Sequence, residues 1–524
     1  MSFAKTYSAQ PSLLKSEIIN VEVDLSKGLY AFNVVGLPDK GVEESKDRVA
    51  AAVKNSGFKS PKQKNQKTVV ALAPADLKKE GPIFDLAIAL AYLIAAEEID
   101  FDVEKKLFLG ELSLDGNLRP VTGVLPIVAS AKKHGFEEVY VPIDNAREAA
   151  LIEGIKIYPA KSLTDVINHL MEGEKPENDE DGVKLKSKKL KAQPKTEIEI
   201  NYKTDLDFND IKGQGASKRA LEIAAAGGHN IALWGPAGTG KTLLAKAFAG
   251  ILPPLSMDEI LEVTGIHSIA RALRDDLITT PPWRNPHHTA SYVSIVGGGA
   301  IPKPGEATLA HRGVLFLDEF PEFDRRVIDT LREPLEERVV RVSRAKGSAE
   351  FPANFILVAA MNPCPCGNWG VKNKKCTCLP IAIERYKRKL SGPIIDRIDL
   401  WTEVSTVDHA SLGSSERSGE SSEKIRARVA RARDIQRKRF SDLGLKYKTN
   451  SELGAKDITK AIELLPKVKT GLDQAARALD LSARSYHKII KLARTIADLF
   501  ESENIETDHL HEALQYRPKR LNYE

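Results

Sequence analysis

The run GPAGTGKT, Gly235 to Thr242, has the residue types and the spacing that hold a nucleoside triphosphate. Gly235, Pro236, Ala237, Gly238, Thr239 and Gly240 make a loop whose three glycines let backbone N–H groups turn inward around a phosphate. A helix starting just after it presents its positive end to the same anion. Lys241 would bridge the β and γ phosphates, and the Thr242 hydroxyl would ligate magnesium. ATP and Mg2+ are therefore the expected cofactors. A glycine turn that binds nothing is the alternative; the apolar strand at 231–234 and the helical run after the loop speak against it.

Hydrolysis needs further groups, and the chain offers them at strand ends. In GVLFLDE, Asp318 and Glu319 follow an apolar strand. Asp318 suits magnesium, directly or through its shell, and Glu319 suits polarising the attacking water. Asn362 ends the strand NFILVAAMN, where its amide either orients water without carrying charge or caps the following turn. Arg397 in SGPIIDRIDL and Arg484 in LSARSYHK are candidates for charge stabilisation at the γ-phosphate, because a guanidinium is planar and permanently charged. Surface salt bridging is the alternative for each arginine.

These residues must be positioned by a scaffold. Strand candidates at 231–234, 314–317, 355–360 and 398–404 alternate with helices, the pattern of a doubly wound parallel sheet in an α/β protein. Before them lies another α/β segment, with helical runs at 43–56, 84–97 and 123–134 and a hairpin around Asp115 and Gly116 in SLDGNLRPV. From about 423 onward the pattern is helical. The expected division is an N-terminal domain at 1–171, a charged flexible linker at 172–200, an ATPase core at 201–410 and a C-terminal helical domain at 411–524. A chain of 524 residues accommodates three such domains. Its net charge of +5 permits nucleic acid as a partner without demanding it. The start MSFAKTYSAQ has no signal-peptide pattern, and the longest apolar run, Leu86 to Ala96, is too short to cross a bilayer. The expectation is a cytoplasmic protein with no membrane partner.

All four cysteines fall in the insertion 364–378, as Cys364 and Cys366 against Cys376 and Cys378. Four thiolates so spaced can close a structural zinc shell; four reduced thiols or a redox-sensitive pair are the alternatives. RVVRVSRAKGSAEF reads as a hairpin whose tip carries Arg344 and Lys346, cations suited to DNA phosphates or to a merely solvated turn. The arginine-rich run 423–439 reads either as a DNA contact or as a helix of salt bridges. DQAARALDLSARSYHKIIKLA has the look of a helix-turn-helix. In the insertion from Leu255 to Thr308, adjacent His287 and His288 are expected to point different ways and to pack in a loop, and the run VGGGAIPKPG to be a mobile loop.

Taken in order, these motifs resemble the AAA+ superfamily, its magnesium-chelatase-like branch, and within it the ComM (YifB) family. The resemblance extends over nearly the whole chain and also rests on VVGLPDKGVEESKDRV, LAPADLKKEGPIFDL, GELSLDGNLRPVTGVLP, NPHHTASYVSIVGGG, MNPCPCG and LSGPIIDRIDL. It implies that Asn362 is sensor 1, that Arg397 is a finger reaching a neighbouring subunit's nucleotide, and that Arg484 is sensor 2 in a helical lid. It further implies a homohexamer and an ATP-driven DNA helicase for branch migration during homologous recombination or natural transformation. Single-stranded or branched DNA, bound without sequence preference, and recombination proteins are the implied partners. Chelatase relatives imply a second possibility, an ATPase that remodels a protein partner. The first 171 residues are similar to the proteolytic domain of Lon proteases. Where that family carries its Ser and Lys dyad, this chain has Ile83 and Leu125, so no peptidase activity is expected.

Overall fold

In this computed structural model the described residues are 2–12, 15–63, 66–171, 189–197, 206–270, 272, 277–299, 303–344, 347–369, 375–406 and 419–518. The chain forms two compact units, one of Met1–Glu199 with Ile260–Ile278, the other of Ile200–Glu259 with Thr279–Glu524.

The first unit is built on a four-stranded sheet in the order Phe3–Ser12, Lys15–Lys27, Gln66–Ala73, Ala31–Val35, with only the last pair parallel. The helix Asp85–Ala95 is buried along nearly its whole length because its sequence, DLAIALAYLIA, is apolar on every face. Its single charge, Asp85, is fully buried and held by Arg48, with Nε–Oδ2 at 2.7 Å and Nη2–Oδ1 at 3.1 Å. The expected hairpin is present: Leu112 faces Leu118 across a turn in which Gly116 has φ 86°. Ile83 and Leu125 both sit in the apolar interior.

Two expectations about domain limits require correction. Of the stretch 172–200, the described part 189–197 is fastened to the first unit rather than loose. Gln193 N–H donates to the Ile157 carbonyl at 2.8 Å, and Thr196 Oγ1 donates to the Arg147 carbonyl at 2.7 Å. Residues 260–278 also belong to this unit rather than to the ATPase core, with Gly123 N–H donating to Ser268 Oγ at 3.0 Å.

The second unit is centred on a five-stranded parallel sheet in the order Trp283–Arg284, Val314–Leu317, Ile356–Met361, Ile231–Trp234, Leu400–Glu403. The three middle strands are apolar almost throughout, as strands covered on both faces must be. The C-terminal helices Ser422–Asp442 and Ala483–Leu499 share one hydrophobic cluster with this sheet: Val429, Phe440, Leu492 and Ile496 join Ile231, Val314 and Val358. The core and the helical end are thus one packed body.

The arginine-rich helix resolves toward salt bridges. Arg428 holds Glu222 and Glu420, Arg431 holds Glu501, Arg439 holds Asp498, and Arg433 donates to the Ala225 carbonyl. The glycine run is also not a free loop where it is described. Gly297 and Gly298 pair antiparallel with Pro304 and Lys303, and a Cβ at Gly297 would lie 2.4 Å from the Lys303 carbonyl oxygen. The predicted basic hairpin forms, with Val339–Arg344 pairing antiparallel to Gly347–Pro352. Lys346 lies outside the described residues, and only the backbone of Arg344 is described.

Candidate active site

Sheet register brings three strand ends to one edge. Trp234 is opposite Met361, and Leu317 is opposite Ala359, so the phosphate loop, Asp318 and Asn362 all emerge from the same end of neighbouring strands. Gly238 and Gly240 have φ of 79° and 91°, the left-handed region that lets the loop curl before the helix Lys241–Phe248. Gly235 meets a different demand, close approach: a Cβ there would stand 2.3 Å from the Val404 carbonyl oxygen.

Lys241 is almost wholly buried and donates to three oxygens, the Gly235 carbonyl at 2.8 Å, the Pro236 carbonyl at 2.7 Å and Asn362 Oδ1 at 3.0 Å. Burial pushes its ammonium down to about 8, only partly offset by Asp318. Thr242 Oγ1 donates to Asp318 Oδ2 at 2.8 Å, which places a hydroxyl and a carboxylate together as hard oxygen ligands for a divalent cation. These residues fit magnesium, and the loop fits the phosphates that would share it. Asp318 Oδ1 also accepts the Glu319 N–H at 2.9 Å. Glu319 sits at φ 50°, a backbone position that non-glycine residues rarely take, and its carboxylate stays half-exposed at the strand end.

One contact overturns an expectation. His288 Nδ1 lies 3.4 Å from Glu319 Oε2. The rings of His287 and His288 do not diverge but lie 4.2 Å apart at 33°. Alternation of neighbouring side chains holds for regular strands and helices, whereas these two residues occupy an irregular turn, where Thr289 Oγ1 pairs with His287 Nδ1. The signal available in the sequence was the position of this histidine pair in an insertion that returns to the sheet edge.

Arg397 and Arg484 come together, but not at the phosphate loop. Both bind Glu336, Arg397 through Nη2 to Oε2 and Arg484 through Nη2 to Oε1 at 3.2 Å. Burial works to raise the Glu336 carboxyl, yet the two guanidiniums hold it below its ordinary value. Arg397 also donates to the Pro393 carbonyl at 2.6 Å, while its buried Nε has no partner. They line a cavity of about 520 Å³ with Arg338, Lys488 and Lys491. The described contacts of Arg397 and Arg484 include none to Lys241, Asp318, Glu319 or Asn362.

The four cysteines are free thiols gathered into one cluster, their sulfurs all within 4.8 Å of one another. Cys364 to Cys366 measures 3.4 Å, Cys366 to Cys376 3.5 Å and Cys364 to Cys376 3.7 Å. Tetrahedral zinc with Zn–S near 2.3 Å requires S···S of about 3.8 Å, so the cluster has the dimensions of a four-thiolate metal site. The N–H groups of Asn368 and Thr377 draw the Cys366 thiol well below its ordinary value.

The family described as Magnesium chelatase, subunit ChlI matches residues 207–412. Subunit ChlI of Mg-chelatase matches 21–145, and the ChlI C-terminal family matches 419–517. Competence protein ComM of Haemophilus influenzae is 42% identical over 520 residues, covering 99% of this chain and 98% of that one. The chain belongs to the ComM/YifB family. YifB of Escherichia coli is 41% identical over 501 residues, covering 95% and 94%. Membership of this magnesium-chelatase-like AAA+ family implies ATP hydrolysis with ATP and Mg2+ as cofactors. Lon protease 2 of Bacillus subtilis is 26% identical over 168 residues, 29% of this chain. Among the described residues, no helix is long and apolar enough to cross a membrane.

Proposed function

We propose that the protein is a cytoplasmic ATP-dependent DNA motor, a homohexameric helicase that drives branch migration when incoming DNA is recombined. The observation that carries this reading is the full-length match to a competence protein, combined with an intact phosphate loop and paired carboxylates. In the hydrolytic step Lys241 neutralises the phosphates, and Thr242 and Asp318 would hold a magnesium ion that would supply further charge neutralisation there. Glu319 polarises the water for in-line attack, and Asn362 orients it as sensor 1. Arg397 acts as the finger on a neighbouring subunit's nucleotide, and Arg484 acts as sensor 2. Their shared grip on Glu336, together with the spare Nε of Arg397, supports a site completed only in a ring. The tip of the basic hairpin, Arg344 and Lys346, contacts DNA phosphates. The first unit is a Lon-like domain without peptidase chemistry, in keeping with the apolar burial of Ile83 and Leu125, and it serves assembly or substrate contact.

The deciding experiment is the steady-state ATPase rate with and without forked or four-way DNA, with Lys241→Ala as the blank. Strong stimulation by DNA is expected. Basal turnover that DNA leaves unchanged would refute the DNA reading and favour a chelatase-like ATPase acting on a protein partner.

A further inference from the structure

The cysteine cluster does not stand apart from the nucleotide site. Its first two cysteines, Cys364 and Cys366, lie two and four residues after Asn362, and Asn362 Oδ1 accepts from the ammonium of Lys241 at 3.0 Å. Within the same turn Gly367 N–H donates to the Cys364 carbonyl at 2.9 Å, at a φ of 74° that only glycine takes without strain. That turn lies directly on the phosphate loop: a Cβ at Gly367 would stand 3.1 Å from Ala237 Cβ and 3.3 Å from Ala237 N. Cys364 is fully buried, so its sulfur cannot be rescued by water if its partners are lost.

The cluster has the chemistry of a ligand site as well as its size. Four sulfurs converge with no disulfide among them, and backbone N–H groups of Asn368 and Thr377 point at the Cys366 sulfur. Such N–H···S bonds orient thiolates toward a metal and stabilise their charge. Four-coordinate thiolate sites suit zinc, with iron the competing metal, and leave no open position for catalysis. Without a cation the four sulfurs at these separations would repel one another on ionisation, and the turn carrying Gly367 would lose its cross-link to Cys376 and Cys378.

We propose that Cys364, Cys366, Cys376 and Cys378 bind one zinc ion, and that this ion braces the phosphate loop, through Gly367 against Ala237 and through Asn362 against Lys241. Nucleotide affinity then depends on metal occupancy, although the metal touches neither nucleotide nor water. The inference rests on nucleotide binding at the phosphate loop and is independent of the DNA reading.

The test begins with the purified full-length protein. Elemental analysis should find about one zinc per chain, and exchange for cobalt should give the visible absorption of a tetrahedral cobalt thiolate. Removing zinc with a chelator should weaken binding of a fluorescent ADP analogue at least about tenfold, since displacing binding groups by about 1 Å has effects of this order or larger. Adding zinc back should restore it, with far-ultraviolet circular dichroism confirming that the chain stays folded. Gly367→Ala, which crowds Ala237 but leaves all four ligands, should keep its zinc and still lose affinity. Protein that contains no zinc, or that binds the ADP analogue equally well with the metal removed and in Gly367→Ala, would overturn the proposal. Failure of DNA to stimulate hydrolysis would leave these outcomes untouched.

Discussion

The buried ammonium of Lys241 makes a quantitative prediction. Its proton affinity is lowered to about 8 because desolvation outweighs the help of Asp318. A phosphate placed against it restores the charge, so the free site is partly neutral and the bound site fully protonated. The sign follows: binding takes up a proton, and affinity falls as pH rises through the free-site value. With a free-site value of about 8 and a bound site that stays protonated through pH 9, uptake is about 0.1 proton per chain at pH 7, about 0.5 at pH 8 and about 0.9 at pH 9. Affinity should therefore drop about tenfold between pH 7 and pH 9, or about 1.4 kcal/mol. The last ionisation of a phosphate lies near pH 6, so the ligand itself contributes little above pH 8. The assay is isothermal titration calorimetry of a non-hydrolysable ATP analogue with Mg2+, in buffers of different ionisation enthalpy. Lys241→Arg keeps a cation that does not titrate in this range, and it should abolish the buffer dependence. Affinity that is flat from pH 7 to pH 9, with no buffer dependence in the natural protein, would refute the reasoning.

Glu319→Gln should bind ATP normally and lose turnover by about 10²- to 10⁴-fold, trapping nucleotide in a single-turnover assay; undiminished turnover would remove Glu319 as the base. His288→Ala should lower kcat by about tenfold with nucleotide affinity intact, because the imidazole 3.4 Å from Glu319 steadies its carboxylate. An unchanged kcat would make that contact incidental. Arg397→Ala should spare nucleotide binding yet reduce hydrolysis in the assembled ring by about 10³-fold or more, and mixing it with Lys241→Ala chains should recover part of the activity. Normal hydrolysis by Arg397→Ala alone would exclude a finger role. In the first unit, Arg48→Ala leaves Asp85 buried without its partner and should cost about 3–5 kcal/mol in denaturant unfolding; a loss below about 1 kcal/mol would show that the pair is solvated.

The candidate nucleotide site was legible from order along the chain alone. A phosphate loop needs its glycines, Lys241 and Thr242 within eight consecutive residues, and Asp318 and Glu319 need only to end an apolar strand. Such features are local, so spacing is enough to find them. The helices at 45–55 and 124–133 were equally visible, because their apolar periodicity is set by the core they face, and the helix at 85–95 showed as an unbroken apolar run. The edge strand Trp283–Arg284 was not, since two residues carry no periodicity.

What the sequence by itself determined is the chemistry available: a loop for phosphate, oxygens for magnesium, a base, two candidate arginines and four clustered thiols. Only the tertiary structure decided which of these meet. It set His288 against Glu319, gathered Arg397 and Arg484 on Glu336 away from the loop, and laid Gly367 on Ala237. It also put 260–278 with the first unit and absorbed the basic helix into salt bridges. The physical reason is that each of these depends on residues tens to hundreds of positions apart. Their meeting is dictated by sheet order and by the packing of a shared core, which no local spacing encodes.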